Sequence, residues 1–557
     1  MYIDGRRVTH GAVLDADVCI VGGGPAGITV AREFLNSSIS TIVVESGGWR
    51  PNRLVQALND AELAPENLHP PPEMYRERRF GGSSTIWGGR CVPLRPSDFE
   101  SRPHVANSGW PLRYDDLLAY YRKAMSYCEA GEFAFDPVSL PGMQPIVAGL
   151  KSEDIIVELE RFSPPTDFGQ RYGQDFARSG SHKILLETTC SCLLSDKSGR
   201  SIETIECVTL GGNKFTVRAK FYVIAAGGLE SARLLAASNR QCVAGIANTS
   251  GLLGGYYMSH LEGTLGHLEV ASGREVAWNF AKTSDGIYAK HYMRLSDDVQ
   301  QAHGLRNIIF RLHHANPMDP DHGDPVLSLM YLAKRFVLPE YRRKITTVEL
   351  AALKRLPNSR KLLARHAGNV LRSPLPLMRF LSTWIYPRYA RHRRVPYVAL
   401  RSKAGIYPLD YNAEQTPSPR SRVYLIPDKD RFGVPKLKID WQVCAEDIES
   451  IAASYALMQR ALARTAAAIL AVDGTDLIER VRSTIPVGGH HLGTARMSDD
   501  PRRGVVNAHC RTHDVENLYI ASSAVFPTSG SANPTLTIVA LAIRVADQLK
   551  AVLAGRS

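Results

Sequence analysis

Asp17–Leu35 reads DVCIVGGGPAGITVAREFL: a short apolar run, a glycine cluster, then residues compatible with a helix. After the break NSSIS at 36–40, TIVVESGG at 41–48 supplies a second buried strand. This is the β-turn-α-β order of a doubly wound dinucleotide fold. Gly22-x-Gly24-x-x-Gly27 occupies the turn. Gly22 permits the tight bend, Gly24 lets the backbone approach a pyrophosphate, and Gly27 allows the helix to sit close to the sheet. The N-terminus of that helix offers free N–H groups and a partial positive charge to phosphates. Glu45 ends the second strand, 18 residues past Gly27, where it is placed to accept hydrogen bonds from ribose hydroxyls. An acid there disfavours a 2′-phosphate, which argues against NADP. FAD and NAD use the same turn, and this stretch alone leaves both open.

Outward from it, FYVIAAGG at 221–228 gives another strand, followed by the helical LESARLLAAS. Residues 70–110 are rich in Gly, Pro and Arg and read as wrapping loop. Between about 255 and 330 the text alternates, as in LEGTLGHLEV and NIIFRLHHA, which predicts an antiparallel sheet. RVYLIP and KLKIDW predict a hairpin over 422–441, the Ala-rich 445–472 a long helix, and TLTIVALAIRVADQL a closing helix. The expected fold class is α/β: a Rossmann-like domain assembled from separated pieces of chain, with an inserted α+β domain containing an antiparallel sheet.

The chain has 557 residues, 44% of them hydrophobic and 22% charged, which excludes disordered and collagenous classes. Its nine cysteines are odd in number and scattered, with no C-x-x-C, arguing against a disulfide framework, a zinc ribbon or attached haem. No metal site is expected. A reducing compartment suits these cysteines. The first residues lack an apolar signal core and no apolar run reaches spanning length, so a cytoplasmic location is expected.

Net charge is +12, but residues 334–403 hold 18 Lys/Arg against Glu340 and Glu349, so the remainder of the chain carries −4. Within this insertion, leucines recur at helical spacing over 345–373, and Phe380, Trp384, Ile385 and Tyr386 follow beside cations. The pattern suits an interfacial helix whose cations meet anionic lipid. It equally suits a helical flap packed on the second domain with its basic face in water, or a dock for an acidic partner. Nucleic acid is not expected, because no binding module accompanies the charge.

Two late segments hold the candidate chemistry: HHLGTARM at 490–497 and SGSANPTLT at 529–537. A histidine in a Gly/Thr-rich loop is a candidate general base, since its ordinary pKa lies near neutrality. Asn533, before Pro534 in the turn that opens the last helix, is a candidate partner for a substrate oxygen.

Together with GGSSTIWGGRCVPL at 81–94 and NLYIASSAVFPTSGSANPTLT at 517–537, these motifs resemble the glucose-methanol-choline (GMC) oxidoreductases, in particular the branch of pyranose oxidases and bacterial sugar dehydrogenases. The resemblance spans both ends of the chain and is weak over 255–420. It implies an FAD-binding domain over 1–254, a substrate domain over 255–444 containing the basic insertion 334–403, and a return to the FAD domain with the catalytic motifs over 445–557. It implies His490 and Asn533 as the catalytic pair and leaves His491 to packing. It places Gly22, Gly24, Gly27, Glu45, Gly82, Ser83, Ser84, Ala226, Ser523, Pro534 and Thr535 around the cofactor. Some relatives attach FAD through a histidine at the position of Ile86, which has no nucleophilic atom, so non-covalent FAD is implied. The acidic residue that relatives often carry before His260 is Ser259 here, which weakens a role for His260.

The implied reaction takes a proton from a substrate hydroxyl and a hydride from its carbon. The resemblance leans to a sugar or glycoside. A bulky hydrophobic or lipid-linked alcohol at a membrane, or a lyase-like flavoprotein without redox turnover, are the alternatives. The electron acceptor and oligomeric state are not legible.

Overall fold

The computed structural model describes residues 1–65, 69–177, 179–334, 359–389, 395–402, 404–472, 474, 476–484 and 489–555. Two eight-stranded sheets organise them. In the first, the strand order is Tyr2–Asp4, His182–Leu186, Thr41–Val44, Val13–Val21, Lys214–Ile224, Ile202–Val208 and Thr189–Ser195, with Leu518–Ile520 added alongside Lys214–Ile224. Pairing is parallel from Tyr2–Asp4 to Lys214–Ile224 and onto Leu518–Ile520, and antiparallel at the last two strands. Thr41–Val44 and Val18–Val21 are buried on both faces, as a parallel sheet covered by helices requires. The register Val18↔Thr41, Phe221↔Val18 and Tyr222↔Leu518 draws strands from the first fifty and the last forty residues to either side of Lys214–Ile224.

Pro25–Glu33 packs against this sheet, and the closing Thr535–Leu553 packs on that helix and on Tyr114–Tyr127. The closing helix is buried almost throughout, from Leu536 to Leu549, which suits its nearly unbroken apolar text.

The second sheet is antiparallel at every pairing: Ala468–Val472, Leu261–Val270, Ile406–Ala413, Ile308–Leu312, Tyr288–Leu295, Ile155–Phe162 and Arg90–Cys91 in order, with Ala281–Lys282 beside Tyr288–Leu295. It takes strands from before residue 254 and after residue 444 as well as from between them. The hairpin forms from Arg422–Lys429 and Pro435–Asp440, and Ala61–Leu63 joins it in parallel.

The helix expected over 445–472 ends at Ala463, and Ala468–Val472 is a strand. Ala466 turns the chain at φ 50°, and burial then alternates, Ala468 and Leu470 inside with Ile469 out. Period-two burial and β-branched residues override the alanine content. Of the basic insertion, 335–358, 390–394 and 403 lie outside the described residues, including 345–358 of the leucine-spaced 345–373. The described part forms the helices Ser359–Arg372 and Pro374–Tyr389. Leu377, Phe380 and Trp384 pack against Val326, Leu327, Met330 and Val398, as the flap reading expects. No helix among the described residues is long and apolar enough to cross a membrane.

The first turn shows how closely the sheet and helix approach. Gly22 has φ 111°, and a Cβ on Gly27 would be driven into the Gly22 carbonyl oxygen and onto Ile20 Cγ2 at 3.3 Å. A Cβ on Gly24 would meet only Gly82 Cα, at 3.8 Å. Gly27→Ala should therefore lose about 1–3 kcal/mol of stability, whereas Gly24→Ala should keep the wild-type unfolding midpoint. Thermal unfolding of both variants checks this, and equal midpoints would refute the close-packing role of Gly27.

Candidate functional site

Where the two sheets meet, a cavity of about 500 Å³ runs from the glycine turn to the C-terminal motifs. Gly22, Gly24, Glu45, Gly82, Ser83, Ser84, Ala226, Ser523, Pro534, Thr535, His490 and Asn533 all line it. Gly27 does not, since it is spent on helix-to-sheet contact. The space beside Gly24 lies at the N-terminus of Pro25–Glu33, where unpaired backbone N–H groups and the helix dipole favour a phosphate. Gly82 faces it from the opposite wall. Glu45 is buried, and its carboxylate accepts from the backbone N–H of Gly23 (2.7 Å) and Gly47 (2.9 Å). Burial pushes this carboxyl upward, against the pull of those two N–H groups.

At the far end, His490 sits between two polar partners. Its Nε2 lies 3.0 Å from Asn533 Nδ2, and its Nδ1 lies 2.7 Å from Nδ1 of His260. His260 Nε2 in turn lies 3.3 Å from the Ser529 carbonyl oxygen. The tautomers follow from donor counting. A carbonyl only accepts, so His260 carries its proton on Nε2 and presents a lone pair at Nδ1. His490 must then donate from Nδ1, leaving its Nε2 as an acceptor that the Asn533 amide meets. Asn533 Oδ1 is buried with no partner among the described residues.

Burial first, then the positive charges of Arg90 and Arg311, push the His490 pKa down to about 3. Both arginines flank the buried Glu160 carboxylate, Arg90 through Nε at 3.0 Å. His260 is held low by burial and by His490. Arg90, Glu262, Phe162, Pro396 and Tyr397 form the cavity wall on the side of the antiparallel sheet.

His491 turns away from His490 into a second buried group. Tyr257 Oη lies 2.7 Å from His491 Nδ1 and 2.6 Å from His69 Nε2, and His69 stacks on His491 at 5.6 Å between centroids. Sequence reading gave His260 little weight and passed over His69 and Tyr257. Their partners lie 230 and 188 residues away along the chain, and no local pattern signals such a pairing.

Residues 417–542 match the family described as GMC oxidoreductase. Over nearly its whole length the chain is 23% identical to 2-methyl-1,2-propanediol dehydrogenase of Mycolicibacterium austroafricanum (96% of this chain, 95% of that one) and 23% identical to the fructose dehydrogenase large subunit of Gluconobacter japonicus (96% and 98%). Among solved structures, pyridoxine 4-oxidase from Mesorbium loti superposes with a TM-score of 0.54 at 16% identity, over 96% of this chain and 99% of that one, a likeness of fold. In its C-terminal segment and in its full-length relatives the chain is similar to the GMC oxidoreductases, FAD-dependent enzymes that act on CH–OH groups. The cavity fits that cofactor: an open glycine cradle at a helix N-terminus stands at one end, and a neutral imidazole nitrogen at the other.

The buried histidines make stability depend on pH. Burial lowers the pKa of His69 to about 4, of His260 and His490 to about 3, and of His491 well below its usual value. The unfolded chain binds protons at these sites near pH 6.5, so between that value and the folded values it holds more protons than the native state. Stability should thus be full above about pH 6.5 and fall as pH drops toward 4, each group contributing up to about 1.4 kcal/mol per pH unit. Unfolding midpoints measured from pH 7.5 to 4.5 should decline in this window; a flat profile would show that the imidazoles are charged in the native state.

Proposed function

We propose that this enzyme oxidises a secondary or primary alcohol group of a sugar or glycoside, with His490 as general base and Asn533 as the group that orients the reacting oxygen. The carrying observation is the neutral, acceptor-ready His490 Nε2 at 3.0 Å from the Asn533 amide. A substrate hydroxyl entering between them donates to Nε2 and accepts from Asn533 Nδ2. Proton transfer to Nε2 leaves the alkoxide held by that N–H, with the Arg90 and Arg311 charges stabilising the negative oxygen. His260 keeps the ring from rotating while the proton moves. Bound FAD supplies the acceptor for the hydride that leaves the carbinol carbon, giving the carbonyl product. Gly22, Gly24, Gly82, Ser83, Ser84, Ala226, Ser523, Pro534, Thr535 and Glu45 would hold it. Ile86 offers no atom for attachment, in keeping with non-covalent FAD.

A polar wall containing Arg90 and Glu262 supports a substrate with several hydroxyls. The names of the fructose and propanediol dehydrogenases among the relatives support the same substrate class. His490→Ala should retain FAD and slow anaerobic flavin reduction by about 10²–10⁴-fold. Asn533→Asp should also slow it, because a carboxylate beside a forming alkoxide is repulsive. Stopped-flow absorbance on a panel of sugars, glycosides and apolar alcohols measures both, and an undiminished rate in His490→Ala removes that residue from the role. Repeating the panel in air identifies whether oxygen takes the electrons.

One observation favours a second source of substrate, an apolar alcohol resident in a membrane. At the junction of Ser359–Arg372 and Pro374–Tyr389, Leu371, Leu375 and Met378 are 79%, 78% and 66% exposed, with Arg372 and Arg379 exposed beside them. Apolar tips ringed by cations are the composition that enters an anionic headgroup region. The chain should co-sediment with phosphatidylserine-containing vesicles and lose most of that binding when Leu371, Leu375 and Met378 are replaced by Glu. Failure of the wild type to sediment at low salt would end this reading.

A further inference from the structure

The His69–Tyr257–His491 group has no part in proton removal, yet its last residue, His491, lines the cofactor cavity. Donor counting fixes what its ring can do. His69 Nδ1 lies 2.6 Å from the Pro70 carbonyl oxygen, which only accepts, so the His69 proton is on Nδ1 and Nε2 is a lone pair. Tyr257 has one hydroxyl hydrogen, and at 2.6 Å it goes to His69 Nε2. The Tyr257 oxygen is then left to accept from His491 Nδ1, at 2.7 Å. The proton of a neutral His491 is thereby held on Nδ1, and Nε2 is an acceptor. Nε2 is buried and has no partner among the described residues, while the residue is only 7% exposed and lines the cavity.

The ring cannot retreat from this position. The Ser523 hydroxyl donates to the His491 carbonyl at 2.6 Å, Gly228 packs so tightly on that carbonyl that a Cβ there would overlap it, and His69 stacks on the imidazole face. A buried acceptor left unpaired costs about 1–3 kcal/mol, so this arrangement calls for a donor on the cavity side. Phosphate oxygens and the flavin carbonyls are acceptors and would be repelled by the lone pair. Hydroxyl groups are the donors that a flavin nucleotide offers in number. His491 follows His490 directly in the chain, at the reacting end, whereas Glu45 and Ser46 line the end expected for adenosine.

We propose that His491 is a cofactor-binding residue whose Nε2 accepts a hydrogen bond from a hydroxyl of the FAD ribityl chain, with Tyr257 and His69 as positioning residues that lock its tautomer. This rests on FAD occupying the cavity but not on the alcohol-oxidation mechanism, and its test reads binding rather than turnover.

The test is competition between FAD and analogues on the full-length protein, followed by flavin fluorescence. Analogues lack one ribityl hydroxyl at C2′, C3′ or C4′, lack the adenosine 2′-hydroxyl, or carry a methyl on N3. The wild type should bind one ribityl-deoxy analogue about 2- to 10-fold more weakly than FAD. His491→Ala should lose that discrimination while binding every flavin more weakly. Tyr257→Phe, which frees the His491 proton to move to Nε2, should discriminate less than wild type, and it decides the matter should His491→Ala fail to fold. Wild-type indifference to all three ribityl deletions overturns the proposal. So does a loss confined to the adenosine or N3 analogue, or full discrimination retained in His491→Ala or Tyr257→Phe.

Discussion

The parallel pairing of Leu518–Ile520 with Lys214–Ile224, itself paired with Val13–Val21, is the constraint on which the site depends. It sets the strand that leads into Ser522–Asn533 and the strand that leads into the glycine turn on either side of Lys214–Ile224, both parallel to it. In a doubly wound sheet the ligand crevice lies beyond the carboxyl ends of the parallel strands. Both sequence motifs that matter emerge from such ends, 500 residues apart, and meet across one cavity. The closing helix completes the arrangement by packing on Pro25–Glu33, so the last residues brace the helix that opens at the glycine turn.

Two chains of buried polar groups then do for the side chains what the sheet does for the backbone. Each begins at a carbonyl oxygen, Ser529 in one and Pro70 in the other, and each ends at the imidazole of a histidine that lines the cavity. A carbonyl accepts and cannot donate, so it sets the direction of every hydrogen bond that follows. Burial adds the second condition by disfavouring the charged form of each ring. The native state carries these imidazoles neutral and ready to accept, at a cost in stability wherever the solvent is acidic enough to protonate them in the unfolded chain.

The glycine turn was legible because its reasons are local: Gly22 bends, Gly24 leaves space, Gly27 meets a carbonyl, all within six residues. The hairpin over 422–441 and the closing helix were legible for the same reason, since their periodicities are continuous in sequence. The strand Ala468–Val472 was not, because five residues of Ala, Ile, Leu and Val read alike as the end of a helix or as an edge strand, and only the partner Leu261–Val270 decides. His260 was discounted on the identity of its neighbour Ser259, yet its position beside His490 is set by the antiparallel bridge between Met258 and Leu492. Placing the two segments side by side as an antiparallel pair makes His260 and His490 neighbours, and sequence order contains no trace of that bridge. His69 and Tyr257 were missed on the same ground.

The charges around the proposed base, His490, pose an apparent conflict. Arg90 and Arg311 lower the proton affinity of His490, which weakens it as a base. The same positive field favours the alkoxide, and so lowers the proton affinity of the substrate hydroxyl facing it. Transfer depends on the difference between the two, and a field felt by both partners largely cancels in that difference. What does not cancel is the free energy of the negative oxygen itself, from which the hydride must leave. Glu160, buried between the two arginines, limits the field; without it two uncompensated guanidinium groups would sit beside a buried imidazole, and without them it would be an unpaired carboxylate. The triad therefore sets two guanidinium charges and one carboxylate near His490 in an arrangement that folding can tolerate, where the proposed reaction would build negative charge.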